Sequence, residues 1–192
     1  MTSCQYMVDA VSNLFYGMPI NGYVALNMNA VAMINDAVGG VTVTVPEDMT
    51  QVDPSFAEGA AVTLTGDQAL KFTRYRDTEK DFSNNSRMER QKQYLVNFMG
   101  QAVKAMKADM GLPVSLYQSL TDDMVTNLSL DRSVYLATEA MDMHFTADGI
   151  VSLKAKSKKG SVYDEVYVDD DALYDLIIQT FYTEEQSEGE SK

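Results

Sequence analysis

Val24-Ala-Leu-Asn-Met-Asn-Ala-Val-Ala-Met-Ile-Asn-Asp-Ala-Val-Gly-Gly-Val-Thr-Val-Thr-Val-Pro46 is the stretch on which the fold turns. Residues 23–28 read as a strand. Asn29 stands where a side-chain oxygen caps a helix, and Val31, Met33, Ile34, Ala37 and Val38 form that helix's apolar stripe. Gly39-Gly40 ends it. Val41, Val43 and Val45 then alternate with threonines, the period of a half-buried strand, and Pro46 closes the run. Strand, helix and strand in so short a span predict an α/β fold, a layered sheet flanked by helices.

Outward from this stretch the pattern continues. Before it, Thr2-Ser3-Cys4-Gln5 has the form of a capping box, and Met7, Val8, Val11, Leu14 and Phe15 recur at helical spacing until Gly17 and Pro19. After it come a loop over 47–59, a short strand over 61–64 and one or two helical turns over 66–72. Residues 73–77 read as extended and 78–83 as a polar loop. A long helix is predicted over 85–107, burying Met88, Leu95, Phe98, Met99, Ala102, Val103 and Met106. Helices follow at 114–120 and 133–141, the second capped by Asp131, with a short strand at 124–128. Residues 145–168 hold two strand-like runs separated by Lys154-Ala-Lys-Ser-Lys-Lys-Gly160. Asp169-Asp-Asp caps a last helix carrying Leu173, Leu176, Ile177 and Phe181. No repeat or linker divides the chain, so one domain is expected over 1–183, with a disordered acidic tail at 184–192.

Composition excludes several classes. With 192 residues and 45% hydrophobic content, a folded domain with its own core is expected. A net charge of -13 argues against general nucleic-acid binding, which needs a broad basic footprint. The lone Cys4 cannot form an internal disulfide, and the lone His144 cannot build a multi-histidine metal site. No apolar run is long enough to span a bilayer, and the start lacks a signal peptide's basic flank and apolar stretch. The chain is therefore cytoplasmic or begins downstream of a targeting segment. No nucleophile elbow, P-loop or dinucleotide fingerprint occurs, and no catalytic residue is assigned. The lysines at 154, 156, 158 and 159 read as the solvated face of a strand and its turn. The thirteen methionines read mostly as core.

Against this acidic background, four of the five arginines gather between Arg74 and Arg90. Arg74 and Arg76 flank Tyr75. Arg87, Arg90 and Gln91 lie three and four residues apart near the start of the long helix, whose amides add positive potential. Arginine's planar fork suits phosphate oxygens. The ordinary alternative is surface pairing with Asp77, Glu79, Asp81 and Glu89.

Three segments, taken in order, carry a family resemblance. They are Val24–Pro46 quoted above, Phe56-Ala-Glu-Gly-Ala-Ala-Val-Thr-Leu-Thr-Gly-Asp-Gln-Ala-Leu-Lys-Phe-Thr-Arg-Tyr-Arg76, and Arg87-Met-Glu-Arg-Gln-Lys-Gln-Tyr-Leu95. Their Gly-Gly-Val strand entry, Gly-x-x-Ala-Leu turn leading to Arg-x-Arg, and Arg-x-x-Arg-Gln helix resemble the LytR-CpsA-Psr family over about residues 20–100. The resemblance implies transfer of an anionic glycopolymer from a polyprenyl-pyrophosphate carrier to peptidoglycan, on the outer face of the cell membrane, with magnesium assisting. It implies pyrophosphate contacts from Arg74, Arg76, Arg87, Arg90 and Gln91, with Arg87 and Gln91 touching phosphate most directly. No magnesium ligands are identified in this chain.

Two departures accompany the likeness. The family often has an aspartate three residues before the helix's first arginine; here that place holds Asn84, with Asp81 as the nearby substitute. The family domain also has a preceding half with further strands, an aspartate near the metal, additional arginines and, before them, a membrane anchor. By this comparison the chain corresponds to the C-terminal part of the domain and is expected to be inactive alone. The rival expectation is a non-catalytic module that binds a phosphorylated glycan or lipid pyrophosphate.

Overall fold

A computed structural model of the protein describes residues 3–77, 83–161 and 164–183. In chain order the elements are α1 (Ser3–Leu14), β1 (Val24–Leu26), α2 (Met28–Ala37), β2 (Val41–Thr44), β3 (Ala61–Leu64), α3 (Gly66–Arg74) and α4 (Ser83–Ala108). They continue with α5 (Leu112–Ser119), β4 (Met124–Thr126), α6 (Leu130–Ala140), β5 (Ala155–Lys159), β6 (Asp164–Val168) and α7 (Asp170–Phe181). The fold is mixed α/β, as the opening stretch predicts. Among the described residues its strands pair as three two-stranded antiparallel sheets, β1–β4, β2–β3 and β5–β6. Strand length explains this: Asn27 leaves β1 after three residues to cap α2, and Pro46 stands two residues beyond β2.

The chain divides into two compact units, Asn21–Ile150 and a second made of Met1–Ile20 with Val151–Lys192. In the first, the predicted valine alternation holds. Val41, Val43 and Val45 are buried and Thr42 and Thr44 exposed. Antiparallel pairing sets Val41 opposite Leu64 and Val43 opposite Val62. The core adds Val38, Met49, Phe56, Ala69 and Phe72, with the Phe56 and Phe72 rings edge to face at 5.8 Å. Burying each large apolar side chain contributes roughly 1.5–3 kcal/mol. Met49 and Phe56 come from the connection between β2 and β3, so this loop is part of the core; a backbone bond from Met49 N to Phe56 O closes it at 2.9 Å.

The helices are started by side chains and fitted by small residues. Asn27, not Asn29, caps α2, accepting from the amides of Asn29 and Ala30 at 2.9 and 3.2 Å. Ser129, not Asp131, is the N-cap residue of α6, and Asp131 falls in its first turn. Thr65 and Gln68 form a reciprocal capping box at α3. Gly66 lets α3 cross α2 closely, since a Cβ there would meet Ala32 O at 2.7 Å. Helix α3 runs two residues past the predicted stop, so Thr73 and Arg74 are helical and only 75–77 leave the helix. Helix α4 spans the predicted 85–107 and a little more. Asn97 Nδ2 donates to Thr42 O at 2.9 Å and Gln101 Nε2 to Val38 O at 2.8 Å, which ties α4 to β2 and the end of α2.

The second unit contains α1, β5, β6 and α7. Asp169 caps α7 as predicted, accepting from Ala172 N at 3.1 Å. Leu173 and Ile177 are buried, and Phe181 meets Phe15 edge to face at 6.4 Å. The lysine run does not separate two strands: Ala155–Lys159 is itself β5, exposed along its whole length. It alternates with small residues, so the backbone ladder to β6 holds it without a buried face. The predicted tail, 184–192, lies outside the described residues. Among the described residues no helix is long and apolar enough to cross a membrane.

Candidate functional site

The end of α3 meets the start of α4, and all five sequence-predicted site residues fall at this junction. Arg74 ends α3, its side chain exposed and without an ion-pair partner among the described residues; Arg76, also exposed, lies two residues beyond. A cation in a helix's last turn is favoured by the unsatisfied carbonyls there. Tyr75, between them, leaves the helix with φ -52 and ψ 135.

Helix α4 supplies the grip on this end. Arg90 is 1% exposed. Its Nε donates to Phe72 O at 3.1 Å, its Nη2 to Tyr75 O, and its Nη1 to Glu47 Oε1 at 2.6 Å. Its guanidinium carbon lies 5.7 Å from the centre of the Tyr75 ring, within cation–π range. One residue on, exposed Gln91 donates from Nε2 to Thr73 O at 3.0 Å. Three carbonyls at the end of α3, from Phe72, Thr73 and Tyr75, are thus satisfied by two side chains of α4. These are groups a helix end leaves without intrahelical donors. The Tyr75 hydroxyl accepts from Gln51 Nε2 at 2.9 Å, tying the same residue to the β2–β3 connection.

The electrostatics follow from burial. Arg90's pKa is lowered by desolvation first; Glu47 and Tyr75 oppose that, and the charge of nearby Arg87 adds to the lowering. Arginine remains charged through such shifts. Arg87 itself is half-buried. The five residues therefore divide by exposure. Arg74, Arg76 and Gln91 are exposed and Arg87 is half-buried, whereas Arg90 is buried with its fork on protein acceptors. Arg90's ion pair is with an acid 43 residues away, not with the sequence neighbours that the surface-pairing alternative names.

Glu47 and Tyr75 complete the junction and were not singled out by the sequence. Tyr75 was visible only as the spacer of Arg-x-Arg. Glu47 follows Pro46 in a loop and carries no periodic or motif signal. Asp81 and the side chain of Asn84 lie outside the described residues. Among the described residues no three His, Cys, Asp or Glu side chains gather in a way that could hold a metal ion. No magnesium ligand is assigned among the described residues, and no chemical step is derived through one.

The chain is similar to known proteins in sequence and in fold. The LytR_cpsA_psr family model matches residues 3–178. A polyisoprenyl-teichoic acid–peptidoglycan teichoic acid transferase TagU of Bacillus cereus (strain AH820) is 46% identical over 83 residues, which are 42% of this chain and 27% of that protein. The TagU of Halalkalibacterium halodurans is 31% identical over 129 residues, 66% of this chain and 40% of that protein. The chain thus spans less than half the length of these relatives. The crystal structure of B. subtilis TagV superposes with a TM-score of 0.68 at 21% identity, covering 94% of this chain and 71% of that one.

Proposed function

The chain belongs to the LytR-CpsA-Psr family, and from that premise we propose that its α3–α4 junction is the arginine wall of a pyrophosphate site. The site would serve the transfer of an anionic glycopolymer from a polyprenyl-pyrophosphate carrier to peptidoglycan, on the extracytoplasmic face of the membrane. The observation that carries this reading is the exposure of Arg74, Arg76 and Gln91 around a buried Arg90 that fixes the backbone between the first two. A salt-bridged surface patch has no need of such an anchor. The names of the TagU relatives support the choice of substrate class.

In the proposed reaction a peptidoglycan sugar hydroxyl attacks the phosphorus that bears the glycopolymer. The new P–O bond forms as the bond to the bridging oxygen breaks. The lipid phosphate departs with that oxygen, and the hydroxyl proton passes to solvent. Arg87 and Gln91 bind the pyrophosphate oxygens, and Arg74 and Arg76 offset the charge that grows on the leaving phosphate.

The test is calorimetric titration of the chain with inorganic pyrophosphate. Saturable binding is expected. Arg87→Ala should weaken it by about 10- to 100-fold, the range for losing a hydrogen bond to a charged group, while the melting temperature stays within a few degrees. Absence of binding in the parent chain overturns the reading. Binding without turnover on a lipid-linked glycopolymer would favour the non-catalytic module instead.

A further inference from the structure

We propose that Glu47 is a positioning residue of the arginine site, acting through Arg90; this rests on the pyrophosphate reading above. An arginine this buried is rare unless paired, and Glu47 supplies the carboxylate at 2.6 Å. Burial and the neighbouring charge of Arg87 both work against a charged Arg90, and Glu47 is the largest effect opposing them. Arg87 and Arg90 are one helical turn apart, close enough to repel. Glu47 neutralises the inner of these two cations.

The consequence reaches the other two arginines through the backbone. Arg90 holds the Tyr75 carbonyl, between Arg74 and Arg76, at a point where α3 has ended. The Cα positions of Arg74 and Arg76 therefore depend on where Arg90's fork sits, and Glu47 is the acceptor that holds that fork from outside α3. Glu47 is itself well placed to act as a fixed reference. It lies between Val45 and Met49, both fully buried, in a loop bonded to the core strands. Its side chain is partly exposed, so it is adjacent to solvent and not sealed in the core.

A purely structural ion pair would change stability alone, so the test separates the two effects. Glu47→Gln keeps the shape and an acceptor oxygen but removes the charge. At a temperature where every variant is folded, its affinity for inorganic pyrophosphate is expected to fall about tenfold. That is the low end of what removing an outer partner of a ligand-holding side chain costs at metal sites. Amide hydrogen exchange across residues 73–77 should quicken in the same variant. A Glu47→Gln protein that melts lower yet binds pyrophosphate within twofold of the parent overturns the proposal. If the parent binds no pyrophosphate, the functional reading fails by itself. The positioning role is then judged by exchange alone, and unchanged rates at 73–77 in Glu47→Gln overturn it.

Discussion

Two groups of cations stand in this acidic chain, and the structure treats them in opposite ways. The arginines at 74, 87 and 90 belong to α3 and α4 and Arg76 lies just past the end of α3, beside the core residues Phe72 and Ala69 of that helix, and one of the four, Arg90, is buried to 1% exposure. The lysines at 154, 156, 158 and 159 run along and beside β5, where every residue is exposed. Register sets Lys158 opposite Glu165, so part of that charge is answered across the hairpin. Positive charge is denser along the lysine run, four cations within residues 154–159 against four arginines spread over 74–90, so density does not single out the arginines. What sets the arginines apart is that one of them is fixed by the core, with acceptors at the end of α3 and on the β2–β3 connection, whereas the lysines of β5 have no such member. Positive charge marks a candidate site here only because a buried guanidinium gives the exposed ones a defined position.

The largest expected effect tests that anchor. Arg90→Met leaves Glu47 without its cation and the Phe72 and Tyr75 carbonyls without a donor. Breaking a buried ion pair by removing one partner costs about 3–5 kcal/mol. Urea unfolding followed by circular dichroism should show a loss of that order. A loss under about 1 kcal/mol, the scale of an exposed pair, would place Arg90 among ordinary surface charges and remove the distinction between the clusters.

Much of this architecture is legible in the sequence, and the parts that are not share a cause. The valines of 41–45 announce their strand because burial on one face imposes period two. The strand at 61–64 and the capping box at Thr65 and Gln68 are likewise local patterns. The helix spacing that sets Arg87, Arg90 and Gln91 side by side is also local. Which of the three turns inward is not. That depends on carbonyls of Phe72 and Tyr75, 18 and 15 residues earlier, and on Glu47, 43 residues earlier. Similarly, Asn27 and Asn29 are equal caps by residue type, and the end of β1 decides between them. Arg74's helical state escaped prediction because Gln91 and Arg90 donate hydrogen bonds to the last carbonyls of α3, a tertiary contribution that propensity does not contain.

A middle-sized effect sharpens the comparison one turn further along α4. Tyr94 donates its hydroxyl to Asn35 Oδ1 at 3.3 Å, and buried Asn35 donates to Leu64 O at 2.8 Å. Burial, with Asp36 adding, pushes the Tyr94 phenol up to about 12. In the unfolded chain a tyrosine titrates near 10. Between these values the unfolded state releases its proton first, so stability falls as pH rises. The contribution is fully present below pH ~10 and is lost progressively towards ~12. Tyr94→Phe should cost about 1 kcal/mol at neutral pH and flatten the alkaline decline relative to the parent in melts from pH 8 to 11.5. An identical decline in both proteins would mean that Tyr94 is not held by the platform that holds Arg90.

The smallest effect belongs to the hairpin, and its smallness is what the comparison requires. Lys158 is exposed on β5, with Glu165 as its cross-strand neighbour. Such pairs are worth roughly 0.2–1 kcal/mol, and Glu165 also accepts from the Tyr167 hydroxyl at 2.7 Å, so it keeps a partner when the lysine is removed. Lys158→Ala should therefore shift stability by no more than about 0.5 kcal/mol and leave pyrophosphate affinity within twofold. An affinity loss comparable to that of Arg87→Ala would show that the anion is read by the hairpin lysines as well. The site would then need charge from a surface that no core residue fixes, and a buried guanidinium would no longer be what separates a binding cluster from a solvated one.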